Sequence, residues 1–154
     1  MPNVTIREAT AVEAADAYLL IEEYYQAVQV IARDDRTQIL HYISDPQSHV
    51  LLAYDDAGPV GCILYRPLPQ LGSAGEVKRL YVRPAFRKRG IAEKLLQALE
   101  QFATTCDVEC LYLDTTDDLK AAIAFYERHG YVRCDRYNDN PQATIFMRKR
   151  LGAG

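Results

Sequence analysis

The run from Glu76 to Ala92 constrains this chain more than any other. It reads as a strand (Glu76–Val82), a basic turn holding Pro84, and the opening of an amphipathic helix. A short apolar run, Cys110–Leu113, follows that helix. Strand, helix and strand in this order make a parallel pair with a right-handed crossover. Within the unit, Arg87, Lys88 and Arg89 stand just before or at the helix start. Cations are unfavourable there, because a helix N-terminus already carries about half a positive charge. An anion bound at the same place removes the conflict, since free backbone N–H groups and flanking cations form a phosphate seat. Gly90 lets the backbone come close, and small Ala92 keeps the first helical turn uncluttered. The turn lies at the C-terminal end of its strand, where open α/β sheets bind ligands.

The surrounding pattern builds a mixed sheet. Val4–Ala9 alternates like a strand, Val12–Ile31 reads as a helix, and Arg36–Ile43 as a shorter helix ended by Asp45-Pro46. His49–Tyr54 and Val60–Arg66 are strands joined by Asp55-Asp56-Ala57-Gly58-Pro59, a hairpin turn composition. Ile91–Thr104 carries one apolar stripe through Ile91, Leu95, Leu99, Phe102 and Ala103. The strand Cys110–Leu113 is expected to be buried on both faces. Thr116 or Asp117 is expected to cap a helix running to His129, with Gly130 as its stop. Tyr131–Arg136 and Thr144–Lys149 form a final strand pair. Hairpins around one parallel unit give an α/β (α+β mixed) sheet, mostly antiparallel, with helices on both faces.

Composition sets limits on this reading. A chain of 154 residues is expected to be a single domain, 1–154, burying about 68–70% of its unfolded surface. A net charge of -3 and a pI of about 5.6 argue against nucleic acid as the main partner, while leaving a local basic patch open. The N-terminus lacks an apolar signal core, and no apolar run is long enough to cross a membrane. A cytoplasmic protein is expected, with Cys62, Cys106, Cys110 and Cys134 as reduced thiols and no metal site, because neither cysteines nor histidines fall into ligand spacing.

Two common phosphate binders are absent. No GxxxxGK[ST] occurs, and no GxGxxG follows a strand. The turn Arg87-Lys88-Arg89-Gly90-Ile91-Ala92 instead resembles the (Gln/Arg)-x-x-Gly-x-(Gly/Ala) signature of the GNAT N-acetyltransferase superfamily. The strand Glu76-Val77-Lys78-Arg79-Leu80-Tyr81-Val82-Arg83-Pro84 is similar to the family's central strand. Ala121-Ala122-Ile123-Ala124-Phe125-Tyr126-Glu127-Arg128-His129-Gly130-Tyr131 resembles its second motif. One position departs: many members carry Asn seven residues before this tyrosine, and here Leu119 stands there. Its polar contact is then lost or supplied by Asp117 or Asp118. A poorly characterised branch with a late Tyr-x-x-Asn-Pro segment, here Tyr137-Asn138-Asp139-Asn140-Pro141, is a closer match.

The resemblance implies the GNAT-like acyl-CoA N-acyltransferase fold and acetyl-CoA as co-substrate. It implies main-chain and cationic contacts to the pyrophosphate from Arg87, Lys88, Arg89, Gly90, Ile91 and Ala92. Further co-substrate contacts come from Leu80, Tyr81, Val82 and Phe125, with the Val82 N–H on the acetyl carbonyl at a strand bulge. Arg83 and Lys88 are open to the nucleotide's other phosphate.

Chemistry assigns the remaining roles. An amine attacking a thioester must lose a proton, and the departing thiolate benefits from a donor. Glu76 is the candidate base, directly or through water; alternatively it is a surface carboxylate paired with Lys78 or Arg79. Tyr126 is the candidate donor; alternatively it is a core tyrosine. Arg79 lies on the strand face opposite Glu76 unless a bulge changes the parity, and could bind an acceptor carboxylate or pair with Asp114. Tyr24, Tyr25, Gln26, Tyr137 and Asn140 are candidate acceptor-lining residues. The expected acceptor is a small-molecule amine or an amino-acid-like molecule, with a homodimer left open. The alternatives are a protein or aminoacyl-tRNA acetyltransferase, and a noncatalytic acyl-CoA sensor.

Overall fold

The computed structural model describes residues 4–152; of the 1–154 span expected as one domain, residues 1–3 and 153–154 lie outside the described residues. Seven strands and four helices follow in chain order: β1 (Thr5–Glu8), α1 (Ala14–Val28), α2 (Arg36–Ser44), β2 (His49–Asp55), β3 (Gly58–Pro67), β4 (Ala74–Val82), α3 (Ile91–Thr105), β5 (Cys110–Thr115), α4 (Lys120–Arg128), β6 (Val132–Arg133) and β7 (Ile145–Arg150). They form one sheet in the order β1-β2-β3-β4-β5-β7-β6. Among the described residues, only β4 and β5 run parallel, and every other pair is antiparallel.

Helices cover both faces. On one, Leu95, Leu96, Leu99 and Ala103 of α3 and Tyr126 of α4 pack on Leu51, Ile63, Val77, Leu111 and Met147. On the other, Leu20, Ile21 and Tyr25 of α1 and Ile39 of α2 pack on Val50, Leu52, Cys62 and Leu64. Each fully buried leucine or isoleucine contributes about 1.5–3 kcal/mol, so the two apolar stripes fix the layer order. The start of α2 is fixed locally: Gln38 N–H donates to Asp35 Oδ1 (2.8 Å) and Asp35 N–H to Gln38 Oε1 (2.9 Å), a capping box.

Two irregularities of β4 shape the centre of the sheet. Lys78 faces Leu64 and Tyr81 faces Cys62, so Arg79 and Leu80 share the single position opposite Ile63. That is a β-bulge, and within it Arg79 takes the left-handed backbone (φ 58°) that G1-type bulges place at this position. The bulge changes the strand's parity: Arg79 lies against Tyr24 and Tyr25 of α1, on the side Glu76 shares. Pairing with β5 stops at Glu76↔Tyr112, and the two strands then diverge.

Several expectations change. β5 is not buried on both faces: Leu111 and Leu113 are buried, whereas Cys110, Tyr112 and Asp114 are half-buried. Its other face meets a loop rather than a helix, with Tyr112 against Tyr137 (5.1 Å between centroids). Neither Thr116 nor Asp117 caps α4, which starts at Lys120 without a side-chain cap. Thr116 O accepts from Leu119 N–H (3.1 Å) and Asp117 N–H donates to Thr144 Oγ1 (2.9 Å), so these residues form a turn tied to the last strand. The expected strand Tyr131–Arg136 shrinks to Val132–Arg133. Arg136 donates to the carbonyls of Asn138, Asn140 and Ala143, which curls the segment away from the sheet. The first long helix is shorter than Val12–Ile31, because Ala11–Glu13 is a 3-10 turn and Gln29 is left-handed (φ 54°).

Candidate active site

The divergence of β4 and β5 opens a cavity of about 470 Å3. β4 contributes its stretch Val77–Val82, β5 Asp114 and Thr115, α1 Tyr24, and α4 Phe125 and Tyr126. Arg87 and Ala92 bring it to the start of α3. Past Glu76, β4 has no partner on the β5 side, so its backbone edge borders the gap.

The start of α3 keeps the features read from the sequence. Gly90 is left-handed (φ 77°), and no side chain caps the helix. A β carbon at Gly90 would meet no atom within 4 Å, so the space over the helix start is open. Arg87, Lys88 and Arg89 are exposed and form no ion pair among the described residues. Arg87 Nε donates to Val82 O (2.8 Å), tying the turn to the strand end. Arg83 is committed elsewhere, donating to both carboxylate oxygens of Glu23 (3.0 and 2.7 Å). That pairing holds Glu23 below the usual carboxylate range.

Tyr126 is buried and lines the cavity, and its hydroxyl forms no hydrogen bond among the described residues. Burial first, then the neighbouring Tyr24 and the negative charge of Asp114, push its pKa above the ordinary 10. The hydroxyl therefore holds its proton at neutral pH. Asp114 Oδ2 accepts from Asn138 Nδ2 (2.7 Å) and Asn140 Nδ2 (3.3 Å), whereas Oδ1 accepts nothing among the described residues.

Glu76 sits outside the cavity lining. It is 1% exposed and closely held: Arg66 Nε donates to Oε1 (2.7 Å), and Tyr137 Oη (2.6 Å) and Asn138 Nδ2 (3.3 Å) donate to Oε2. The surface alternative for Glu76 does not describe this burial. Tyr137 and Asn140 act in this network behind the cavity rather than on its wall. Tyr25 is 1% exposed in the core, its hydroxyl accepting from Asp34 N–H (3.0 Å). Gln26 donates to Glu22 on the helix surface. Arg79 pairs with Asp34 (3.5 Å) rather than Asp114. Leu80, Tyr81, Val82, Arg87, Ala92, Phe125, Tyr126, Tyr24 and Arg79 are thus brought together, while the Ile91 side chain turns into the core.

The cavity also holds Lys78 and Asp114, neither singled out from the sequence as a site residue. The available signal was strand parity. Lys78 follows Glu76 by two on one face, and Asp114 is a charge closing an apolar run.

Residues 14–131 match the Acetyltransferase (GNAT) family. The chain belongs to that family. It is 30% identical to IAA acetyltransferase of Azospirillum brasilense over 98% of this chain and 100% of the relative. An uncharacterized N-acetyltransferase of Schizosaccharomyces pombe is 27% identical over 97% and 96% of the two chains. Among solved structures, a GNAT acetyltransferase of Staphylococcus aureus Mu50 superposes with a TM-score of 0.84 at 20% identity, covering 97% of this chain and 100% of that one. The paiA N-acetyltransferase of Thermoplasma acidophilum, solved with coenzyme A, gives 0.81 at 16% identity over 97% and 99%. Membership makes the chain an acyltransferase enzyme that uses an acyl-coenzyme A, and the mixed sheet with one parallel pair is the fold its neighbours share.

Proposed function

We propose that the protein transfers the acetyl group of acetyl-coenzyme A to the primary amine of a small molecule, by direct attack with both substrates bound. One observation carries this reading: a single cavity runs from the uncapped start of α3 to Asp114 and Tyr126. Its volume of about 470 Å3 lies in the range of small-molecule sites.

The residues present fit the co-substrate. Open space over Gly90, uncapped amides and three unpaired cations suit a diphosphate. Arg87, Lys88 and Arg89 with the main chain of Gly90–Ala92 would hold it, and Leu80, Tyr81, Val82 and Phe125 would flank the remainder. Acetyl-coenzyme A supplies the activated thioester acyl group. No cysteine or serine lines the cavity among the described residues, which favours direct transfer over an enzyme-bound acyl group.

Asp114 Oδ1 receives the proton that the amine sheds, because it is the open oxygen of a cavity carboxylate. Tyr126 Oη holds the proton for the departing sulfur. Its raised pKa does not disqualify it, since desolvation in the same cavity raises the basicity of a thiolate in the same sense. Glu76, closely held behind the wall, fixes Arg66, Tyr137 and Asn138, and through Asn138 orients Asp114. Any share it has in proton transfer passes through these neighbours.

A panel of primary amines with acetyl-coenzyme A, read by release of the free thiol, tests the reading. Amine-dependent release is expected. Tight acetyl-coenzyme A binding with no release across the panel would replace it with a noncatalytic acyl-CoA sensor.

A further inference from the structure

The bulge in β4 shapes one wall of the cavity that the divergence of β4 and β5 opens. It sets Arg79 beside Lys78 on the same wall, and both line the space. Both are largely buried, with side chains 11% and 17% exposed, and both are poorly paired. Among the described residues, Arg79 reaches one carboxylate, Asp34 at 3.5 Å, and its buried Nε has no hydrogen-bond partner. Its guanidinium otherwise rests on the Tyr25 ring, 4.9 Å from the centroid. Lys78 Nζ lies 3.8 Å from Glu76 Oε1, an oxygen that already accepts from Arg66 at 2.7 Å. Burial of Lys78 lowers its pKa despite that carboxylate, so the fold by itself under-compensates the charge. Buried cations are costly unless paired. Asp114, with its open oxygen, lines the same cavity from β5.

Two under-paired cations from one strand and a carboxylate from the next complement a molecule with a carboxylate and an amine. We infer that the acceptor is an amino acid or a close amino-carboxylate, its carboxylate bound by Arg79 and Lys78 and its amine presented to Asp114. This inference rests on the amine-acetyltransferase reading and narrows its acceptor. A guanidinium offers a carboxylate two parallel donors, and such charge-assisted contacts are the strong ones.

The experiment compares amino acids with their decarboxylated counterparts: phenylalanine with phenethylamine, leucine with isoamylamine, methionine with 3-methylthiopropylamine. The wild-type enzyme should prefer the amino acids in kcat/KM by at least about tenfold, the worth of one charged hydrogen bond. Arg79→Gln and Lys78→Met should each shrink that ratio toward unity. A merely structural role would lower both members of a pair together and leave the ratio unchanged. Equal or faster turnover of the decarboxylated amines overturns the inference while leaving amine transfer standing. Absence of transfer to either set is a failure of the parent reading instead, and binding then decides the inference. N-acetylphenylalanine and N-acetylmethionine are titrated against their carboxamides with coenzyme A saturating. Acids binding at least about tenfold tighter support the carboxylate site; equal binding rejects it.

Discussion

Asp114 and Tyr126 give the proton balance of the reaction two identifiable atoms. Asp114→Asn should cut kcat/KM at neutral pH by about a hundredfold and recover part of it at alkaline pH, where free amine accumulates. A pH profile parallel to wild type would remove the role. Tyr126→Phe should lower kcat more than it weakens acetyl-coenzyme A binding, and an unchanged kcat would leave Tyr126 a packing residue. Glu76→Gln should act on folding as well, because it strips the charge from a buried partner of Arg66. A loss of about 3 kcal/mol, read from denaturant midpoints, is expected; an unchanged midpoint would show the network to be dispensable. Tyr126 was legible in the sequence because it stands within a dense local motif. The environment of Glu76 was not, since the hydroxyl that fixes Oε2 comes from Tyr137, 61 residues away. No strand pattern carries that contact.

At the scale of elements, the parallel pair and the helix between them were readable from the apolar stripe of α3 and the turn chemistry around Gly90. The bulge was foreseen as a condition on the parity of Arg79 and, through the family resemblance, as a feature at Val82, but not at its place on Arg79 and Leu80. Its position depends on register against β3, and Arg79 is not the glycine that a left-handed bulge residue favours. The end of the chain was the least legible part, because Arg136 draws three carbonyls inward and replaces a strand with a loop. The close approach of β4 to its neighbour gives an element-scale prediction. A β carbon at Gly75 would run into the ring of Tyr65, which is 2% exposed and cannot swing away. Gly75→Ala should therefore cost about 1–3 kcal/mol of stability, measured by thermal or denaturant unfolding. A neutral outcome would mean that β3 and β4 part more easily than their pairing implies.

For the whole molecule, pH acts on stability through buried titratable groups, and His49, packed on the α3 face of the sheet, is one of them. Its ring stacks on Phe102 of α3 at 3.8 Å and 1°. Nδ1 lies 3.3 Å from Glu8 Oε1, yet buried without a well-formed hydrogen bond, so the contact is a weak one. Burial holds the imidazole below its ordinary 6.5, outweighing the nearby Glu8. The unfolded chain therefore binds the proton more readily than the fold. Stability from this site is complete above the unfolded pKa of about 6.5, falls as pH drops toward the folded value, and then levels. His49→Phe should flatten the loss in unfolding midpoint between about pH 7.5 and 5; an unaltered slope would assign it to other groups.

The central claim is that the start of α3 and the gap between β4 and β5 form one binding surface for acetyl-coenzyme A. Backbone amide shifts on titration with acetyl-coenzyme A test it most directly. The largest changes are expected at Arg89–Ala92 and along Leu80–Val82, and they should diminish at the helix start when the 3′-phosphoadenosine diphosphate portion is omitted by using acetyl-pantetheine. Shifts clustered on the α1–α2 side of the sheet, with the amides of Gly90, Ile91 and Ala92 unmoved, would contradict it.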